Sequence, residues 1–137
     1  MPFGAPKIRA VKKEQKHYHY NWALVPEEGA RFENMIAGHL LKWVDYIFDT
    51  EGRELELRYF RDVDGREVDF IILERRKPIL MVECKLSNGA PAPALRYLKD
   101  RFPEARAVQV VRDDIPATTH RGDIEVCAAR KFLLEFI

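Results

Sequence analysis

A chain of 137 residues with 47% hydrophobic and 33% charged side chains is long enough for one buried core, and its composition excludes a disordered or collagen-like segment. The net charge of +1 favours neither nucleic acid nor an acidic partner on electrostatics alone. No apolar run reaches the roughly 20 residues that cross a bilayer, MPFGAPKIRAVKK lacks a signal-peptide core, and two cysteines make no disulfide framework, so Cys84 and Cys127 are read as reduced core thiols of a cytoplasmic protein with no membrane partner.

Residues 1–15, with Pro2, Gly4, Pro6 and a basic run opposed only by Glu14, read as a basic arm or the remnant of a truncation. Residues 16–137 read as a single domain. The alternating aromatic and polar residues at 17–25 predict a short strand. His17 and His19 fall on one face of it, but with no third ligand they read as edge packing rather than a metal pair. From 27 to 48 the spacing turns helical, with Phe32, Ile36, Leu40, Leu41 and Val44 at three- and four-residue steps behind Pro26 and two acids.

Residues 54–61 then alternate as a strand, and Asp62-Val63-Asp64-Gly65 form a turn. EVDFIIL and PILMVECKL are two more strands around a basic turn, Arg75-Arg76-Lys77. SNGAPAP breaks the pattern, 94–102 is helical, 107–111 and 124–128 are strands, and ARKFLLEFI is a terminal helix. The fold class is α/β: a mixed sheet flanked by helices, in αβββαβ order.

Carboxylates inside the second and third strands need a reason, because a buried acid without a partner is costly. A hairpin turning symmetrically about Arg76 pairs residues whose numbers sum to 152, which sets Asp69 opposite Glu83, with Lys85 two residues along on the same face. Glu33 lies in the apolar stripe of the helix and approaches this pair if the helix packs on the meander. Two acids facing one another require a proton, a basic neighbour or a divalent cation, and hard oxygen donors suit Mg²⁺. An ordinary surface ion-pair cluster fits the same residues.

An acid on the first helix (Glu33 in ARFENMIAGHLL), an Asp on a strand (Asp69 in GREVDFII) and Glu-x-Lys on the next strand (Glu83-Cys84-Lys85 in ILMVECKLS) are similar to the PD-(D/E)XK nuclease superfamily, the restriction-endonuclease-like fold. Over residues 16–111 the chain resembles the nuclease-like module found behind certain prokaryotic AAA-type ATPase domains. The resemblance implies a hydrolase acting on DNA phosphodiesters, with Mg²⁺ (or Mn²⁺) on Glu33, Asp69, Glu83 and the backbone carbonyl of Cys84. Lys85 would orient the attacking water and stabilise charge at phosphorus. It also implies a second reading, a non-catalytic module that docks an ATPase or another protein, or binds DNA without cutting. The family's proline is replaced by Val68, and no Gln-x-x-x-Tyr pattern follows Lys85. Arg75, Arg76, Lys77, Arg96 and Lys99 are the basic candidates for contacts with nucleic acid, with solvation as the alternative. No phosphate-binding Gly-x-x-x-x-Gly-Lys loop is present, so an ATPase would be a separate part or partner.

Overall fold

The computed structural model describes residues 8–10 and 27–136. The strand expected at 17–25, with its two histidines, lies outside the described residues. A seven-stranded mixed sheet runs β1 (Ile8–Ala10), β2 (Leu55–Arg61), β3 (Glu67–Glu74), β4 (Lys77–Lys85), β5 (Arg106–Val111), β7 (Ile124–Ala128) and β6 (Thr119–Arg121) from edge to edge. β1 to β4 are antiparallel neighbours, β4, β5 and β7 run parallel, and β6 turns back against β7. Three of the residues assigned to the arm therefore form an edge strand, with Ile8 opposite Phe60.

The helices are α1 (Glu28–Glu51), α2 (Pro93–Arg101) and α3 (Ala129–Leu133), the last followed by a 3₁₀ turn over Leu134–Phe136. The mixed sheet with its flanking helices is the α/β architecture the periodicities predict. α1 runs three residues past the expected end and stops at Gly52. There the backbone turns left-handed (φ 70°) and its N–H closes on the Phe48 carbonyl at 3.0 Å, a conformation glycine adopts without a Cβ penalty. β6 has no sequence signature, because all three of its side chains are exposed.

Strand alternation sorts the core into two layers. Phe70, Ile72, Leu80, Val82, Val108 and Val110 meet Phe32, Ile36, Ala37 and Leu40 of α1. Ile71, Leu73, Met81 and Ala107 meet Ala94, Leu95 and Leu98 of α2. Cys84 and Cys127 belong to the α1 layer and neither forms a disulfide. Burial pushes the Cys127 thiol up to about 11, which keeps it protonated.

The β3–β4 hairpin corrects the expected turn while keeping the expected register. The loop is two residues, Arg75 and Arg76, both at positive φ (53° and 67°), so the turn centres between them rather than on Arg76. Near the turn, pairs sum to 151 (Glu74↔Lys77, Leu73↔Pro78). Beyond an extra residue on β4, Ile79, they sum to 152 (Ile72↔Leu80, Ile71↔Met81, Phe70↔Val82). That is a β-bulge. Two-residue hairpin loops with positive φ at both positions favour Asn-Gly over β-substituted residues. Arg75→Asn combined with Arg76→Gly is therefore expected to raise stability by about 1 kcal/mol, read as a higher urea midpoint at unchanged m-value.

Candidate active site

Continuing the register past Phe70↔Val82 brings Asp69 opposite Glu83. At this end of the hairpin the strands are joined through carboxylates. The Asp69 backbone N–H donates to Glu83 Oε1 at 3.2 Å, and the Cys84 N–H donates to Asp69 Oδ2 at 2.9 Å. Each acid accepts a backbone proton from the opposite strand, and this crossed clasp fixes both side chains. Glu83 is only 9% exposed. Lys85 follows on the same face, its Nζ 3.7 Å from Glu83 Oε2 and its side chain 44% exposed. The ammonium reaches outward.

The electrostatics follow from this geometry. Burial first, and then the neighbouring Asp69 charge, push the Glu83 carboxyl up to about 8. The Asp69 N–H and Lys85 oppose the shift, and the Glu33 charge adds to it. Glu83 therefore holds its proton more tightly than an ordinary carboxyl.

Glu33 lies on α1, which covers the sheet face opposite the one that carries Glu83 and Lys85. Its charge is felt at Glu83, yet among the described residues no three His, Cys, Asp or Glu side chains form a group that could hold a metal ion. The structure brings together Asp69, Glu83 and Lys85, with Cys84 between them on β4. Glu33, on α1, is near enough for its charge to act on Glu83. The N-terminus of α1 is nevertheless tied to this end of the sheet, because Arg112, just past β5, bonds Glu28 at 3.1 Å while its N–H bonds the Lys85 carbonyl at 2.9 Å.

The protein donors available to a cation are thus two hard carboxylates fixed by backbone bonds, beside a main-chain carbonyl at Cys84. That set fits Mg²⁺, which commonly takes one or two carboxylates and fills the remaining positions with water and phosphate oxygens. It does not suit zinc, which prefers nitrogen and sulfur donors.

Of the basic candidates, Arg96 and Lys99 hold bonds within the fold, and the other three are exposed. Arg75, Arg76 and Lys77 sit at the far end of the hairpin, about six strand residues or roughly 20 Å from Asp69. Arg96 on α2 donates to Asp123 Oδ1 (2.6 Å) and the Arg121 carbonyl (2.8 Å), bracing the β6–β7 turn. Lys99 is 7% exposed and donates to the carbonyls of Pro103 and Ala105, both at 2.7 Å, so it caps the end of α2. Removing the ammonium in Lys99→Met leaves two carbonyls unpaired. The expected cost is about 2 kcal/mol of stability, with the salt dependence of any DNA binding unchanged. A fall in that salt slope would return Lys99 to the interface.

Gln109 is the residue that strand periodicity passes over as ordinary. It is fully buried in β5, directly beside Glu83 in the parallel register. Its Oε1 accepts from the Ala92 N–H at 2.9 Å, and its Nε2 donates to the carbonyls of Gly89 (3.3 Å) and Ala90 (3.1 Å). The signal was a lone amide inside the apolar run AVQVV, since a polar group in a central strand must find partners.

Among the described residues no helix is long and apolar enough to cross a membrane. A sequence profile of the family described as "Domain of unknown function (DUF4143)" matches residues 28–130. No curated protein and no solved structure matches the chain.

Proposed function

This chain belongs to the DUF4143 family, and we propose that it is a divalent-metal-dependent nuclease of the PD-(D/E)XK type that hydrolyses DNA phosphodiester bonds. The observation that carries the reading is the crossed clasp. Two carboxylates are fixed side by side at the open end of a hairpin, with a half-exposed lysine on the same face 3.7 Å from Glu83. A hairpin has no structural need to set two acids against one another. The order of helix, three-strand meander, helix and parallel strand agrees with the same superfamily.

Asp69 and Glu83 would hold Mg²⁺ or Mn²⁺, with the Cys84 carbonyl as a third protein donor and Glu33 reinforcing the negative field. A cation bound there neutralises charge at phosphorus and acidifies a water at neutral pH. The protein supplies the rest. The backbone N–H groups of Asp69 and Cys84 hold the carboxylates at fixed separation. The Lys85 ammonium orients the attacking water and stabilises the oxyanion that develops on the phosphate. The site lies at the C-terminal ends of the parallel strands β4 and β5, where open α/β sheets bind their ligands.

One observation favours a second reading, a module that docks an AAA-type ATPase or another partner without turning over. The arginines near the site already carry acidic partners: Arg112 has Glu28 and Asp113, and Arg130 has Asp114. A surface neutralised in this way attracts a polyanion weakly. Incubating supercoiled plasmid with the protein and Mg²⁺ or Mn²⁺ separates the two. Nicking or linearisation supports the nuclease. Intact plasmid, together with no divalent-ion binding by calorimetry, supports the docking module.

A further inference from the structure

The bonds made by Gln109 all go to one segment. Residues 87–92 connect Lys85 and Leu86 to the first residue of α2, Pro93. Ser87, Asn88, Gly89 and Ala90 in it are exposed. At its start the segment is tied to β5, with the Arg112 and Asp113 N–H groups on the carbonyls of Lys85 (2.9 Å) and Leu86 (3.1 Å). At its far end it is hydrogen-bonded to the sheet through the Gln109 side chain, which takes the Ala92 N–H and gives both amide protons to Gly89 and Ala90. Ala92 is the N-cap residue of α2 and offers no side-chain cap. Gln109 therefore holds the loop and the start of the helix at once. By register it does so from the position next to Glu83, on the same face of the sheet.

We propose that Gln109 is a positioning residue: it fixes residues 87–92, the segment that follows Lys85, so that a phosphate backbone arriving over the strand ends meets the ammonium in one orientation. The role toward phosphate rests on the nuclease reading above, whereas the clamp itself does not. A glutamine suits the task because one flat amide accepts and donates at once and adds no charge beside two acids.

The test compares wild type with Gln109→Leu and with Ala92→Pro. The second change removes one clamp bond from the loop side at a half-buried position that borders the core, and φ at Ala92 is already −60°. Hydrogen exchange at Asn88, Gly89, Ala90 and Ala92 is expected to quicken by about tenfold or more in Gln109→Leu, with the amides of β3 and α1 unchanged. Ala92→Pro should quicken the remaining three less. In cleavage assays kcat falls about tenfold while KM stays within about twofold, the pattern of misplaced catalytic groups. Unchanged loop exchange in folded Gln109→Leu overturns the proposal, as does an increase spread evenly over the whole chain. If Gln109→Leu does not fold, Ala92→Pro decides by the same readout. A wild-type protein that cuts no DNA defeats the nuclease reading, and the exchange comparison still decides the clamp.

Discussion

Asp69→Ala and Lys85→Ala are each expected to cut Mg²⁺-dependent DNA cleavage by about 10²–10³-fold in proteins that remain folded. The magnitude follows from what each removes. Asp69→Ala takes away one of two fixed carboxylates, and with it the acceptor for the Cys84 N–H. Lys85→Ala takes away the ammonium 3.7 Å from Glu83, and losing one preorganised group opposite developing charge costs on the order of 10²–10³ in rate. Asp69→Asn separates the two functions of the acid, because its amide oxygen still accepts from Cys84 while the charge is gone. It should fold at least as stably as wild type and cut no better than the alanine variant. The measurement is the rate of plasmid nicking at saturating Mg²⁺, beside circular dichroism for folding. Rates within threefold of wild type in both Asp69→Ala and Lys85→Ala would remove the site from consideration.

The second large effect is on stability. In the unfolded chain Glu83 titrates near the ordinary 4.5, whereas in the fold burial and then the Asp69 charge raise it to about 8. The folded state thus binds a proton that the unfolded state has released. The stabilisation is complete below the unfolded value and is lost as pH rises through the folded one. Wild type should lose stability between about pH 5 and pH 9, with a fall of about 2 kcal/mol, or roughly 8 °C in Tm. Glu83→Gln keeps an acceptor for the Asp69 N–H and cannot ionise, so its Tm should be flat over this window and exceed that of wild type at pH 9. Mg²⁺ should restore the loss in wild type and leave Glu83→Gln unaffected. The window stops short of acid, because Arg53 holds Glu74 down and Arg106 holds Glu125 down, and those carboxylates destabilise the fold when protonated at low pH. A wild-type Tm that rises steadily from pH 5 to pH 9 contradicts the buried acid pair.

What was legible in the sequence is what strand and helix periods encode. Alternation in EVDFIIL and ILMVECK reveals two strands and places Glu83 and Lys85 on one face, and the three- and four-residue steps reveal α1. The partnership of Asp69 with Glu83 was also readable, though by way of a turn centred one half-step off. Sidedness was not legible. Whether α1 covers the face of the carboxylates or the other face depends on long-range packing, which the local pattern around Glu33 does not encode. Nor does charge reveal its use: Lys99 reads as a surface base until the carbonyls of Pro103 and Ala105 come into view. β6 carries no apolar pattern because nothing buries it. Gln109 was visible as an anomaly, but its three bonds reach across about twenty residues of sequence, beyond any local window.

The bulge at Ile79 acts as a phase corrector. A regular two-residue hairpin would keep every pair at 151 and set Asp69 against Val82, with Glu83 and Lys85 turned to the α1 side. One additional residue, some four positions from the chemistry, reverses the parity of the strand beyond it. The arrangement of the site is therefore written in the number of residues between Asp69 and Glu83 more than in their identity. A single insertion or deletion within that hairpin would dismantle the acid pair and turn Glu83 toward the apolar α1 layer.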